Sequence, residues 1–328
     1  MVLEHPSADG PPPLVARDRE ELGAGSGDLL LEVSACAACR TDLQLVRGDL
    51  AAHRLPIIPG HQVVGRVVEV GPDVQDWSIG DRAGAFWLAS SCGTCEACKA
   101  DRENLCPEAR FTGWDVDGGY ATRIVVRADF ALRLPQGAPQ DVAPLLCGGV
   151  IGYRALKRSG IQPGQRLGLY GFGASASLAI QVARAWGCEV YVATRAERDR
   201  ARAIEMGAAW AGGATERPPA PLHAAVTFAP VGSVVVAALQ ALDRGGTVAI
   251  NAIHLDQVPG FDYDDLWWER SITSVANVTR RDAHEFLGLA EKIGIETNPI
   301  PYPLDDAQRA LGDLEAGAIG AGAAVLQT

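Results

Sequence analysis

Four cysteines lie close together in the segment CGTCEACKADRENLC, residues 92–106. Their spacing, C-x2-C-x2-C-x7-C, lets the four thiolates surround one tetrahedral zinc ion, whereas a two-residue gap makes a poor disulfide. Because four protein ligands leave no open position on the ion, such a site shapes a loop and takes no substrate. The sequence therefore predicts a structural zinc site with these ligands: Cys92, Cys95, Cys98 and Cys106.

The segment GFGASA, residues 171–176, has the G-x-G-x-x-A pattern of a dinucleotide-binding turn. It follows the predicted strand 166–171 and opens a predicted helix, which is the context that the pattern requires. Gly171 permits the tight turn, Gly173 lets the backbone approach a pyrophosphate, and Ala176 lets the helix pack closely on the strand. The N-terminus of that helix then faces the negative charge of the ligand.

The end of the next predicted strand bears on the choice between NAD and NADP. An acidic residue at this point would bind the ribose 2′-hydroxyl and favour NAD. This chain instead has Thr194 and Arg195, with Arg198 and Arg200 shortly after. A hydroxyl and a guanidinium suit a 2′-phosphate, so we expect NADP to be preferred over NAD. The alternative is that the arginines form a solvated helix face, which is what we expect of Arg200.

The predicted elements divide the 328 residues into two parts, as the length of the chain suggests. Up to about residue 135 the chain is rich in β-structure, with predicted strands at 29–36, 63–71 and 120–126. From about 165 to 277, short apolar strands alternate with helical segments, which indicates βαβ crossovers and a mostly parallel sheet. Three elements follow: helices around 284–294 and 305–317, and a strand at 322–328. The predicted fold class is α/β, with a doubly wound parallel sheet and a second, β-rich domain.

Composition and charge exclude several classes of protein. The net charge of −11 argues against a nucleic-acid surface, which needs a basic face. The sequence has neither the apolar core of a signal peptide near its start nor an uninterrupted apolar stretch of about 18 residues. We therefore expect no nucleic-acid partner and no membrane partner. Zinc-type cysteines without a secretory signal favour a reducing compartment, so a cytoplasmic location is expected.

Three further residues could form a second metal site. Cys39 lies in CAACRTD, His61 lies in PGHQVVG before a predicted strand, and Cys147 lies in PLLCGG before a predicted helix. Two thiolates and one imidazole would leave the fourth position of a zinc ion open to water or substrate, as in catalytic sites. Taken singly, each could be an ordinary residue, as we expect of the core cysteines Cys36 and Cys188.

Several motifs, taken together in their order and spacing, resemble those of the zinc-dependent medium-chain dehydrogenases and reductases, the zinc-containing alcohol dehydrogenase family. The resemblance covers essentially the full length. Besides the four cysteines, it rests on these motifs: CRTD (39–42), PGHQVVGRV (59–67), GDR (80–82), DGGYA (117–121), LLCGG (145–149) and GFGASA (171–176). It implies a GroES-like catalytic domain formed by residues 1–148 and 279–328, with the zinc lobe at about 90–108. A Rossmann domain, residues 149–278, would lie between the two catalytic segments of the chain.

The resemblance also implies a role for each matching residue. Cys39, His61 and Cys147 would hold the catalytic zinc, and Asp42 would hydrogen-bond His61 and fix its tautomer. Thr41 would contact the alcohol oxygen and begin the path of the proton.

Two more residues acquire roles in the same way. Arg40 would reach the pyrophosphate of the cofactor. Trp87 would line the substrate pocket, although a plain core position fits this residue equally well.

Two positions depart from the commoner pattern of the family. The residue after His61 is usually a glutamate that can approach the zinc, and here it is Gln62. Many relatives carry a relay histidine where this chain has Gln44, and an amide cannot shuttle a proton by titrating near neutral pH. His53 and His254 are possible substitutes, each with a structural role as the alternative.

The sequence thus predicts a zinc-dependent alcohol dehydrogenase or carbonyl reductase that transfers a hydride between an alcohol, aldehyde or ketone and NAD(P). The protein would hold two zinc ions per subunit, one catalytic and one structural, and form a homodimer or homotetramer. Two alternatives stay open. One is a zinc reductase of the same fold that acts on an enal, an imine or a polyol. The other is a catalytically silent protein that binds zinc and cofactor.

Overall fold

The computed structural model of the protein describes residues 1–10, 13–19 and 22–328. These residues form two compact units. The first unit contains Met1–Cys147, Asn277–Glu291 and Thr297–Thr328, and the second contains Gly148–Ala276 and Lys292–Glu296. Segments near both ends of the chain therefore belong to the same unit.

The elements are numbered here in chain order. The strands are β1 (Val2–Leu3), β2 (Leu14–Val15), β3 (Asp28–Ala37), β4 (Val63–Val70), β5 (Arg82–Ala85), β6 (Leu88–Ser90), β7 (Arg110–Phe111), β8 (Arg123–Arg127), β9 (Leu132–Arg133), β10 (Arg166–Tyr170), β11 (Glu189–Ala193), β12 (Trp210–Gly212), β13 (Leu222–Thr227), β14 (Leu242–Ile250), β15 (Ser271–Ser274), β16 (Pro299–Pro303) and β17 (Ala323–Gln327). The α-helices are α1 (Arg40–Arg47), α2 (Glu96–Lys99), α3 (Pro139–Val142), α4 (Gly148–Ser159), α5 (Ala174–Ala185), α6 (Glu197–Glu205), α7 (Gly232–Gln240), α8 (Arg280–Ile293) and α9 (Ala307–Glu315). Short 3₁₀ helices span Glu103–Leu105, Ala143–Leu146, Tyr263–Asp265 and Leu304–Asp306.

The first unit is built on a mostly antiparallel sheet with the strand order β16-β17-β3-β4-β5-β9, and β8 also pairs with β3. Strand β3 pairs with β4 along one edge, and along the other it pairs with β8 in its first half and β17 in its second. Leu29, Leu31 and Val33 of β3 are buried in one core cluster with Val63 and Val67 of β4. These residues alternate along β3, as expected when one face of a strand packs on a core.

The second unit contains a parallel sheet with the strand order β12-β11-β10-β13-β14-β15. Counted from β10, this is the order 3-2-1-4-5-6 of a doubly wound dinucleotide-binding fold. The order reverses between β10 and β13, and ligands of such sheets bind outside the carboxyl ends of the strands at that point. Gly171 follows β10 directly at this end of the sheet. The predicted α/β fold class with its parallel sheet is confirmed.

Two elements of the second unit were not predicted, strand β12 and helix α7. Strand β12 is three residues long and too short to show a period. Helix α7 contains three consecutive valines, a composition typical of a strand. It forms a helix because it connects the parallel strands β13 and β14, and such a connection crosses the face of the sheet, usually as a helix. Its apolar residues Val234, Val235, Ala238 and Leu239 then lie in the core.

Among the described residues, no helix combines the length and the apolar character that crossing a bilayer requires.

The buried face of β3 is a test of this core. Leu31→Ala removes most of a side chain with 0% exposure. The free energy of unfolding, measured by denaturant titration, should therefore fall by about 2–5 kcal/mol. Ile79→Ala is the matched control, since Ile79 is 72% exposed, and should change stability by less than about 0.5 kcal/mol. Equal effects of the two variants would contradict the assigned core.

Candidate active site

The three residues predicted as a second metal site come together in the first unit. Cys39 precedes helix α1, His61 precedes strand β4, and Cys147 follows the 3₁₀ helix Ala143–Leu146. Their ligand atoms lie within 4.8 Å of one another. The Sγ atoms of Cys39 and Cys147 are 3.9 Å apart, although 108 positions separate the residues in the chain.

The donor atoms of this cluster suit zinc. Two sulfurs on a tetrahedral zinc ion lie about 3.8 Å apart, whereas a disulfide would bring them to about 2 Å. His61 is 1% exposed, and its Nε2 atom has no hydrogen-bond partner among the described residues. A buried ring nitrogen without a partner is costly unless something else satisfies it, and a metal ion would do so. The cluster therefore fits a metal with one position left open.

Asp42 orients the imidazole of His61. Its carboxylate Oδ1 lies 3.1 Å from His61 Nδ1, and an Nδ1–H that donates to Asp42 leaves Nε2 as the atom free to bind a metal. Burial opposes protonation of the ring, but the charge and hydrogen bond of Asp42, together with the contact to Cys39, outweigh burial and raise the pKa of His61 to about 10. The same carboxylate accepts the backbone N–H of Cys39 at 2.8 Å and so caps helix α1.

The two thiols of the cluster lie within hydrogen-bonding distance of each other. The hydrogen bond from Cys147 lowers the pKa of Cys39 well below its usual value, and the hydrogen bond to Cys39 raises that of Cys147 well above it. Cys39 is thus the more acidic thiol of the pair. A metal ion that binds both sulfurs would displace the protons of these thiols.

Helix α1 carries two other predicted site residues. Thr41 is half-buried, and its Oγ1 lies 3.8 Å from the Sγ of Cys39, so its hydroxyl is adjacent to the metal-binding cluster. Arg40, at the first position of the helix, is exposed.

The two departures from the family pattern have distinct surroundings. Gln62 is 4% exposed, and its amide donates to the carbonyl of Ala37 at 3.0 Å, which ties the side chain to strand β3. Gln44 is half-buried on helix α1. Of the possible substitutes for a relay histidine, His53 lies 2.7 Å from Asp115, and His254 is an exposed residue of the second unit.

An aromatic group lies beside His61. The ring of Trp87 meets the His61 ring edge-on at 4.7 Å, and it stacks on Phe111 at 5.3 Å and Trp114 at 5.7 Å. Trp114 in turn stacks on His53 at 3.8 Å. The sequence singled out Trp87 alone, because Phe111 lies in the two-residue strand β7 and Trp114 in the turn after it, and neither is long enough to show a periodic pattern. All three indole and phenyl rings are half-buried and form one wall next to the cluster.

The four-cysteine loop lies between β6 and β7 and contains α2 and the 3₁₀ helix Glu103–Leu105. The four Sγ atoms lie within 4.8 Å of one another, with Cys92 to Cys106 at 3.5 Å and Cys92 to Cys98 at 4.0 Å. The cysteines are free thiols. This arrangement is that of a tetrahedral sulfur site.

Backbone N–H groups in this loop point at sulfur. Cys95 donates to Cys92 at 3.3 Å, Cys98 to Cys95 at 3.5 Å, and both Cys92 and Glu108 to Cys106 at 3.4 Å. N–H groups aimed at sulfur favour the thiolate, and the contacts from Thr94 and Cys95 lower the pKa of Cys92 to about 6. The loop is therefore shaped to hold negative charge on its sulfurs.

The same loop is attached to helix α8. Glu103 is 5% exposed, and its carboxylate accepts the backbone N–H of Arg280 at 2.9 Å and the side-chain Nε of Arg280 at 3.4 Å. Arg281 forms an ion pair with Asp101. The acidic residues of the loop thus lie at the N-terminus of a helix, where negative charge is favourable.

The glycine-rich turn of the second unit has the geometry that its sequence predicts. Gly171 has φ +88°, and a Cβ there would lie 2.9 Å from the backbone N of Ala229. Gly173 is the N-cap of α5 and has no atom within 4 Å of where its Cβ would be. Ala176, in the first turn of α5, is 1% exposed. The open space at Gly173 fits close approach of a ligand, and a helix N-terminus without an acidic first turn suits a phosphate.

The residues that follow β11 differ in their surroundings. Thr194 is buried, and Arg195 is exposed. Arg200 is not part of a solvated face, as its sequence position suggested, because its Nη1 donates to the carbonyls of Thr194 at 3.1 Å and Arg195 at 2.7 Å. Arg198 is close to Asp199, with 3.5 Å between Nε and Oδ1. Arg200 therefore stabilises, through these two hydrogen bonds, the turn that contains the exposed Arg195.

Comparison with known proteins agrees with this geometry. Residues 25–136 match the family profile of the alcohol dehydrogenase GroES-like domain. A probable alcohol dehydrogenase of Mycobacterium tuberculosis, AdhA, is 53% identical over 306 residues, which are 91% of this chain and 88% of that protein. The chain therefore belongs to the zinc-containing medium-chain alcohol dehydrogenase family, and its reaction is alcohol or carbonyl oxidoreduction with NAD(P).

Two solved structures are similar over nearly the whole chain. One is a cinnamyl alcohol dehydrogenase from Sorghum bicolor, with a TM-score of 0.86 and 26% identity over 96% of this chain and 92% of that one. The other is CAD from Helicobacter pylori in complex with NADP(H), with a TM-score of 0.84 and 25% identity over 93% and 91%.

The surroundings of the loop cysteines predict which of them is alkylated faster. In the metal-free protein, iodoacetamide should alkylate Cys92 with a rate that rises with pH through about 6, because the thiolate is the nucleophile. Burial raises the pKa of Cys106 to about 11, so near pH 7 this thiol should react far more slowly. Peptide mass spectrometry over time measures both rates. Equal rates near pH 7 would contradict the assigned environments.

Proposed function

We propose that the protein is a zinc-dependent alcohol dehydrogenase or carbonyl reductase with two zinc ions per subunit. The observation that carries the proposal is the convergence of Cys39, Cys147 and the buried His61, whose Nε2 has no hydrogen-bond partner in the described part of the chain. Cys39, His61 and Cys147 would hold the catalytic ion, which supplies Lewis acidity to the oxygen of the alcohol or carbonyl compound. Three protein ligands leave room for the substrate.

The chain's own residues account for the movement of the proton. When an alcohol loses a hydride from its carbon to the nicotinamide, its hydroxyl proton must leave, and in reduction a proton must arrive. Thr41 would begin the proton path, because its half-buried hydroxyl lies beside Cys39 and can accept this proton while it gives up its own toward solvent. Asp42 would keep the Nδ1–H of His61 in place and so maintain Nε2 as a ligand.

The second ion would be structural, held by Cys92, Cys95, Cys98 and Cys106. The N–H groups directed at these sulfurs support tetrathiolate binding, since they stabilise negative charge without occupying the ion. A reducing compartment such as the cytoplasm would keep these thiols available.

The cofactor would bind to the doubly wound unit. Gly171, Gly173 and Ala176 would form the turn around its pyrophosphate. The division into a catalytic domain, residues 1–148 and 279–328, and a dinucleotide-binding domain, residues 149–278, is supported by the two compact units.

We propose that NADP is preferred over NAD. Arg195 is exposed and presented by a turn that Arg200 braces, so its guanidinium can receive a 2′-phosphate beside the hydroxyl of Thr194. Neither residue is acidic, and so neither favours the unmodified ribose of NAD. The NADP(H) bound to the similar CAD structure supports the same choice.

The substrate would be a small alcohol, aldehyde or ketone that contacts Trp87, whose ring lies against His61. The subunits would form a homodimer or homotetramer. Exposed aromatic side chains near the edge strand β15 support such an assembly: Tyr263, Trp267 and Trp268. A panel of aldehydes, ketones, enals, imines and polyols separates the proposed activity from a reductase of another substrate and from a silent binding protein.

Removal of one ligand tests the catalytic zinc. The wild-type protein should contain two zinc ions per chain by mass spectrometry. Cys147→Ser should contain one. Its kcat should fall at least about 100-fold, because the Lewis acid lowers the activation barrier by several kcal/mol. The control is Cys188→Ser, since Cys188 is a buried free cysteine outside both clusters. Wild-type zinc content and kcat in Cys147→Ser would refute the site.

The cofactor proposal is tested by kcat/KM with NADPH and NADH. NADPH should give the higher value. Arg195→Ala should lower that value by about tenfold to a hundredfold, which is the expected effect of losing one hydrogen bond to a charged group. The value with NADH should change little. Arg202→Ala is the control, because Arg202 lies on helix α6, which follows Arg195, and pairs with Glu205 at 3.3 Å. A higher kcat/KM with NADH in the wild type would overturn the preference.

A further inference from the structure

The Asp42 carboxylate is 2% exposed and accepts hydrogen bonds on both oxygens. Oδ1 accepts from His61 Nδ1 at 3.1 Å and from the backbone N–H of Gly60 at 3.2 Å. Oδ2 accepts from the backbone N–H of Cys39 at 2.8 Å and from the hydroxyl of Tyr120 at 3.3 Å. Three of the donors belong to the metal-binding residues or to the adjacent backbone. The fourth, the Tyr120 hydroxyl, has no part in the function described so far.

The Tyr120 side chain has little freedom to move. It is 0% exposed, and its ring packs directly on Gly60, where an added Cβ would lie 2.3 Å from Tyr120 Cδ1. The same imaginary Cβ would lie 2.9 Å from the sulfur of Cys36. Gly60 has φ +97°, so the backbone turns in a conformation that glycine favours and leaves space for the ring. Packing therefore directs the hydroxyl at Asp42.

The hydroxyl remains a donor in this position. Burial, together with the negative charge of Asp42, raises the pKa of Tyr120 well above its usual value and keeps the phenol protonated. The two donors on Oδ2, one of which is the Tyr120 hydroxyl, and the two donors on Oδ1 together restrain rotation of the carboxylate about its terminal bond. The plane of the carboxylate in turn sets the direction of the His61 ring, since Oδ1 accepts the Nδ1–H.

We propose that Tyr120 is a positioning residue of the catalytic metal site: its hydroxyl holds the Asp42 carboxylate in the orientation that points His61 Nε2 at the sulfurs of Cys39 and Cys147. This inference rests on the proposed zinc site and deepens it. Tyr120 is not one of the proposed metal ligands and acts through Asp42.

Tyr120→Phe removes the hydroxyl and keeps the ring that fills the core. Transfer of zinc to the chelator pyridylazoresorcinol should show two phases, one for each site. In the variant the catalytic phase should be about threefold to tenfold faster, somewhat less than the loss of a direct partner of a metal ligand produces. The phase of the four-cysteine loop should keep its wild-type rate and acts as a reference within the same molecule. With cobalt in the catalytic site, the visible absorption bands should shift in position.

A matched control is Tyr302→Phe. Tyr302 is 5% exposed, and its hydroxyl donates to Asp313 at 2.8 Å in the same unit, so this variant also loses a hydrogen bond between tyrosine and aspartate. It should release catalytic zinc at the wild-type rate. A catalytic phase that accelerates equally in both variants would mean a general loss of stability and would overturn the proposal.

A double-mutant cycle tests the route through Asp42. If Tyr120 acts through this carboxylate, Tyr120→Phe should change the catalytic release rate less than twofold in an Asp42→Asn background. An undiminished effect in that background, or a wild-type release rate and cobalt spectrum for Tyr120→Phe alone, would overturn the inference and leave the zinc site intact. A wild-type protein with only the loop zinc would refute the proposed zinc site itself, and the role of Tyr120 with it.

Discussion

The geometry of the candidate active site depends on one buried carboxylate. Asp42 accepts the backbone N–H of Cys39 at the start of helix α1 and the Nδ1–H of His61 ahead of strand β4. A buried charge is costly unless hydrogen bonds surround it, so Asp42 is stable only where these donors converge. The convergence that satisfies Asp42 also brings the Cys39 sulfur and His61 Nε2 to one place. The same carboxylate therefore caps helix α1 and positions the metal-binding residues.

The two cysteine clusters are organised by different physical means. In the loop of residues 92–106, the sulfurs accept N–H groups from neighbouring residues, as in the bond from Cys95 to the sulfur of Cys92. That arrangement is local and follows from close spacing. The other cluster depends on Cys147, which is 108 residues from Cys39 in sequence. Only the packing of the 3₁₀ helix Ala143–Leu146 in the core of the first unit brings its thiol to the others.

Sequence patterns predicted the parallel sheet of the second unit, because apolar strands and helices alternate there with clear turn residues between them. They did not predict helix α7, whose valines favour a strand until the crossover between β13 and β14 requires a helix. They also did not predict that Phe111 and Trp114 stack on Trp87, since a two-residue strand and the turn after it are too short to show a periodic pattern.

The sequence alone was sufficient to predict the glycine-rich turn, the four-cysteine loop and the fold class, because each depends on short-range spacing or on the period of a local element. It named Cys39, His61 and Cys147 as a possible metal site but left each compatible with an ordinary position. Tertiary structure decided which atoms face one another. It left His61 Nε2 without a hydrogen-bond partner among residues 1–10, 13–19 and 22–328, turned the Gln62 amide to the carbonyl of Ala37 and packed Tyr120 against Gly60. These outcomes depend on contacts between distant segments, which spacing along a chain does not specify.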